Sequence, residues 1–74
     1  MRRVTVKTAF GKRLRQLRTQ RGWSQEELAS HVGLDRSYVG GVERGERNIS
    51  LENICRLAES LELKPSDLLR FEDA

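Results

Sequence analysis

The chain has 74 residues, of which 34% are charged and 36% hydrophobic, and its 14 Lys or Arg against 11 Asp or Glu give a formal net charge of +3. A chain this short makes one domain, which buries only about 60% of the surface its unfolded form exposes, so modest stability and help from dimerisation are expected. With one cysteine there is no internal disulfide, and without a secretory segment or a run of about 20 apolar residues the expectation is a cytoplasmic protein with no membrane contact.

The charge is unevenly spread: residues 1–22 hold eight Lys or Arg and no acid, whereas residues 23–47 sum to −2 and residues 48–74 to −3. A basic N-terminal block suits phosphate contacts, and a solvated helix face is the alternative. Residues 1–7, MRRVTVK, have no partner strand and are read as a flexible basic arm, free or reaching DNA. Helix 1 is predicted from Thr8 or Ala9 to Arg21, with Phe10, Leu14 and Leu17 in one stripe and Gly22 as its stop. Arg18 borders that stripe. A guanidinium there needs a partner, for which Glu43 is the natural choice.

Helix 2 is predicted from Gln25 to about Val32. Ser24 and Glu27 have the spacing of a capping box, and Trp23 before the cap pairs with Leu28 as a hydrophobic staple. Gly33 closes the helix in the left-handed conformation, Leu34 folds back, and Leu28, Ala29 and Val32 face inward. Gln25, at the first helical position, can place its amide on a phosphate near the positive end of the helix dipole; an exposed glutamine is the alternative. His31 lies on the polar side with no second His or nearby Cys at a metal-binding spacing, so no metal and no cofactor are expected.

Asp35 caps the next helix. At a period of 3.6, Val39 and Val42 share one side with Asp35 and Tyr38 at its edge, and Arg36, Ser37, Gly40, Gly41 and Arg44 fall opposite. Two glycines in a helix interior cost roughly 1 kcal/mol each relative to alanine, which something must offset. One offset is a close approach to a major groove, with Arg36 and Ser37 meeting base edges; the other is relief of crowding against a neighbouring helix. Ser24, Gln25, Tyr38, Arg44 and Asn48 are the expected DNA backbone contacts, and Arg47 is expected at the backbone or, reaching further, at a base.

Ser50 caps helix 4, whose Leu51, Ile54, Leu57, Ala58 and Leu61 are predicted to form one apolar stripe with Cys55 at its edge, a small hydrophobe. Pro65 suits the first position of a last short helix. Leu63, Leu68, Leu69 and Phe71 then exceed what a short segment hides, so Leu68, Leu69 and Phe71 are assigned to a two-fold homodimer contact, with completion of the monomer core as the alternative. Residues 8–71 thus form the domain and residues 72–74 a tail. Catalysis is not expected, because neither a phosphate-binding G-x-x-x-x-G-K loop nor carboxylates clustered beside the histidine occur.

Ser24-Gln25-Glu26-Glu27-Leu28-Ala29, Gly33 and Val42-Glu43-Arg44-Gly45 resemble the Cro/C1-type (Xre) helix-turn-helix family over about residues 8–70. Leu34 to Gly45, followed by Arg47-Asn48 and Ser50-Leu51, resembles more narrowly the controller proteins of restriction-modification systems. The resemblance implies an all-α, compact five-helix lambda-repressor-like domain that binds palindromic operators in double-stranded DNA as a homodimer. It also implies an Arg18–Glu43 pair linking helix 1 to the recognition helix, Gln25 at a phosphate, and an acidic surface touching RNA polymerase. For that last contact Glu26 is preferred over Glu27, which the capping box engages. A general Xre-type repressor and an antitoxin-like protein-interaction module remain the alternatives.

Overall fold

The computed structural model describes residues 5–71, and side-chain caps decide where its helices begin. Thr5 accepts the Thr8 N–H at 3.2 Å and opens α1 (Val6–Gln20); Ser24 opens α2 (Gln25–Val32); Asp35 accepts the Ser37 N–H at 3.1 Å and opens α3 (Arg36–Glu43). Ser50 accepts the Asn53 N–H at 3.1 Å and opens α4 (Leu51–Leu61), and Pro65 stands at the start of α5 (Pro65–Leu68). Each cap satisfies an N–H that the helix itself leaves unpaired. The capping box of α2 is complete, with the Glu27 N–H on Ser24 Oγ at 3.0 Å and the Ser24 N–H on Glu27 Oε1 at 2.7 Å. Gly33 adopts φ 78°, and the N–H groups of Gly33 and Leu34 both donate to the Ala29 carbonyl at 2.9 Å, ending α2 where the spacing predicts.

The predicted basic arm is corrected at its C-terminal end. Thr5 is the cap, and Val6 and Lys7 already belong to α1, because a threonine pair three residues apart supplies the N-terminal hydrogen bonds. Residues 1–4 and the tail 72–74 lie outside the described residues.

The helices close on one core in which Leu14, Leu28, Leu57 and Leu68 have essentially no exposed surface. Leu68 therefore completes the monomer and is not a dimer contact. α5 turns back over α1 and α4, and Arg13 Nε pins it by donating to the Asp67 carbonyl at 2.8 Å. Leu63 and Phe71 are half-buried against the same core, so of the three residues assigned to a dimer contact Leu69 alone is left exposed. Leu51 is a second correction. It is 78% exposed, because at the first helical position its side chain leans away from the turn that carries Ile54 into the core. Cys55 is likewise exposed, one position beyond the buried Ile54.

Two further arginines reach across the fold as Arg13 does. Arg21 Nη1 donates to the Leu61 carbonyl at 2.7 Å, and Arg56 Nη2 donates to the carbonyls of Val32 at 3.0 Å and Gly33 at 3.3 Å. These bonds satisfy helix-end carbonyls that have no acceptor role left inside their own helices. The N-terminal basic block is thus partly structural: Arg13, Arg18 and Arg21 hold protein groups.

Helix α1 crosses α3 at Gly11. A Cβ there would stand 2.5 Å from the carbonyl oxygens of both Val42 and Glu43, closer than any carbon and oxygen can pack. Alanine gains about 1 kcal/mol of helix propensity over glycine, but overpacking against backbone costs typically 1–3 kcal/mol. With two backbone oxygens at 2.5 Å the upper end of that cost applies, so Gly11→Ala is expected to lower stability by about 2 kcal/mol net. Urea unfolding should show a lower midpoint at unchanged m-value, and an unchanged or higher midpoint would contradict the close crossing.

Candidate nucleic-acid interface

The outer part of α3 is built on a buried ion pair. Arg18 Nε donates to Glu43 Oε2 at 2.6 Å and Arg18 Nη2 to Glu43 Oε1 at 3.0 Å, a two-pronged contact between side chains 9% and 2% exposed. The remaining polar capacity is used as well. Arg18 Nη1 donates to the Trp23 carbonyl at 2.7 Å, and Gln25 Nε2 donates to Glu43 Oε1 at 2.9 Å. One carboxylate thereby joins α1, α2 and α3, and the pairing expected from the sequence is present. Gln25 is less free than the sequence suggests, since its amide is shared with this network.

Around that anchor the polar side chains fall into two groups. Arg36 and Ser37 are exposed on the first turn of α3, and neither side chain bonds to another side chain among the described residues. Asn48 is exposed in the loop after α3, and Glu26 is exposed on the first turn of α2. The others have partners within the protein. Arg44 Nε donates to Glu46 Oε2 at 3.1 Å, the Ser24 hydroxyl is held in its cap, and the Arg47 guanidinium lies 5.6 Å from the centre of the Tyr38 ring.

Gly40 and Gly41 correct the expectation of a bare outward face, since both are buried. A Cβ on Gly40 would stand 3.1 Å from Arg44 Nη1 and 3.3 Å from Gln25 Oε1; on Gly41 it would stand 3.0 Å from Arg47 Cγ. The covering atoms are long polar side chains, and no neighbouring helix backbone crowds the two glycines. Helical periodicity places the glycines on the correct side of α3 but carries no sign that these side chains fold over them.

His31 also has a partner that its polar surroundings do not suggest. Its ring stacks on Trp23 with centroids 4.1 Å apart and 8° between planes, and the Arg21 guanidinium lies 4.7 Å from the centre of the indole. Trp23 otherwise packs against the core.

Two short helices joined through a left-handed glycine, the second fixed by a buried ion pair and presenting arginine and hydroxyl groups, define a helix-turn-helix domain. A family model described as helix-turn-helix matches residues 14–68, and the chain belongs to that family of DNA-binding transcription regulators. It is 42% identical over 67 residues to control protein C.BamHI of Bacillus amyloliquefaciens, a match that covers 89% of this chain and 83% of that one. It is 39% identical over 66 residues to control protein C.SmaI of Serratia marcescens, covering 89% and 79%. Among solved structures, the restriction-modification controller protein C.AhdI from Aeromonas hydrophila superposes with a TM-score of 0.82 at 61% identity, over 84% of this chain and 94% of that one.

The ion pair gives a direct expectation. Glu43→Leu leaves a buried guanidinium with one carbonyl partner and should cost about 3–5 kcal/mol, whereas Arg18→Met combined with Glu43→Leu removes both charges and should recover most of that loss. Denaturant titration of the parent and the two variants measures it. Equal losses in the single and the double variant would show that packing, and not the charge pair, carries the contact.

Proposed function

We propose that the chain is the controller protein of a restriction-modification system, a sequence-specific regulator that binds palindromic operators as a homodimer and lays α3 in the major groove. The observation that carries this reading is the exposed, side-chain-unpaired state of Arg36 and Ser37 at the leading end of a helix whose other end is locked by Glu43. The similarity to control and controller proteins supports the biological setting.

In this reading Arg36 meets a guanine, whose O6 and N7 match a guanidinium fork, and Ser37 and Arg47 meet neighbouring base edges. Gln25, Tyr38, Arg44, Asn48 and the Ser24 cap lie along the phosphates and set register. Gly40 and Gly41 give the duplex its closest approach once Arg44, Arg47 and the Gln25 amide swing from above them to their DNA partners. Glu26, exposed in the first turn of α2, is the contact to RNA polymerase when the operator abuts a promoter.

Arg36→Ala is the test of the base contact. The wrong base at one position per half-site should then lose its penalty of about 1–3 kcal/mol, while Arg44→Ala, which removes a phosphate contact, weakens all sequences nearly alike. Binding curves against a set of operator variants measure this, and an unchanged ranking after Arg36→Ala would remove Arg36 from the base-reading set.

The dimer rests on Leu69, 47% exposed on the segment after α5. Leu69→Glu puts a carboxylate into an apolar contact, where it loses hydration without gaining a partner. Sedimentation should find the monomer for this variant and the dimer for the parent at the same concentration; a dimer in both would place the interface on another face.

A further inference from the structure

Asn53 lies on α4, outside the two helices of the motif, yet it touches the recognition helix through one side chain. Its Nδ2 donates to the Tyr38 hydroxyl at 3.2 Å, and its Oδ1 accepts from Arg56 Nη1 at 3.3 Å. The second contact decides the direction of the first. A guanidinium can only donate, so the Asn53 atom facing Arg56 is the oxygen and the atom facing Tyr38 is the nitrogen. Arg56 itself is held in place, because its other terminal nitrogen sits on the carbonyls of Val32 and Gly33 at the end of α2.

The consequence falls on the Tyr38 proton. A phenol carries one O–H, and since its oxygen accepts from Asn53, that proton is directed elsewhere. Among the described residues the hydroxyl donates to no other group. Tyr38 is half-buried, with its ring against the core and Arg47 over its face. It therefore offers a hydroxyl donor of fixed direction beside a cation.

We propose that Asn53 is a positioning residue for DNA binding: held by Arg56, it fixes the Tyr38 hydroxyl as a donor toward a phosphate oxygen of the duplex. The proposal rests on the reading of α3 as the DNA interface. An acceptor-only anion such as a phosphate gains from a hydroxyl that must donate and gains nothing from one that presents a lone pair. The chain Arg56, Asn53, Tyr38 thus transmits the donor character of an arginine, through an amide, to a neutral hydroxyl on the recognition helix.

The test uses the full chain and a duplex recovered by it from a random-sequence pool. Dissociation constants are measured for the parent, Asn53→Asp, Asn53→Ala, Tyr38→Phe and the two combinations with Tyr38→Phe. Asn53→Asp keeps size but replaces the donor with an acceptor, so the hydroxyl turns inward to it; affinity should fall by about tenfold, the order lost with a hydrogen bond to a charged group. Asn53→Ala frees the hydroxyl to rotate and should cost about threefold, an intermediate loss. In the Tyr38→Phe background there is no hydroxyl to aim. The Ala substitution should then change nothing and the Asp substitution should retain only its general charge effect, present in both backgrounds.

Thermal unfolding of each variant separates this from lost structure. A carboxylate in the first turn of α4 suits the positive end of that helix, so Asn53→Asp is expected to fold, and Asn53→Ala provides a second, uncharged route to the same comparison. Losses of the same factor with Tyr38 intact and in the Tyr38→Phe background would overturn the positioning role while leaving α3 as the DNA interface. Recovery of no duplex at all by the parent chain would overturn both.

Discussion

What α3 can present to a partner depends on where it points, and that is fixed by a carboxylate with three donors around it. Glu43 takes two nitrogens of Arg18 and the amide of Gln25, while the third nitrogen of the guanidinium reaches the Trp23 carbonyl. Removing two charges from water is costly and is offset only where geometry is good and the remaining hydrogen-bonding capacity is filled. Both conditions are met here. A pair of leucines would hold α1 and α3 together as well, but it would tolerate sliding and rotation. The forked ion pair does not, because its hydrogen bonds lengthen with small tilts of either helix.

The crossing at Gly11 supports the same geometry from the other side. With no Cβ there, the carbonyls of Val42 and Glu43 come directly onto the α1 backbone, which shortens the distance that the Arg18 side chain must span. In a chain whose core is small, two such constraints within one helical pair give α3 a definite orientation that hydrophobic contact alone would leave loose. Asn53 of α4 bonds the Tyr38 hydroxyl, so α3 takes polar contacts from two helices outside the motif.

How much of this could be read from residues alone follows from the range of each interaction. Caps and stops act within four residues, and the Ser24–Glu27 box, Asp35, Ser50 and Gly33 sit where their spacing places them. The Arg18–Glu43 pair is legible because a charge bordering an apolar stripe needs a partner of known kind. Other contacts carry no such demand. Arg13, Arg21 and Arg56 bond to carbonyls 23 to 54 residues away, and any exposed arginine could have been the donor. Periodicity fails at the ends of elements, where Leu51 follows the stripe of α4 but has nothing above it, and where Leu68 belongs to a helix too short to show a period. The glycines of α3 announce missing side chains in the sequence, and the period places Arg44 on their face, but Arg47 comes from the following loop and Gln25 from α2, beyond the reach of any helical period.

The three long-reaching arginines also bear on how the molecule looks to a polyanion from a distance. The C-terminal end of a helix carries a partial negative charge, about half an elementary charge in the aligned-dipole picture. Guanidinium groups cover that end in α2 through Arg56 and in α4 through Arg21, and Arg13 does the same for the last turn of α5. Counting formal charges makes residues 23–74 acidic and suggests a surface that repels phosphate. Counting the backbone as well, the arginines cancel helix-end potentials that the formal count never included. Approach to a duplex is therefore governed by a field in which the acidic side chains are the main negative sources, and where these stand in open solvent, salt screens them within about 10 Å at ordinary ionic strength.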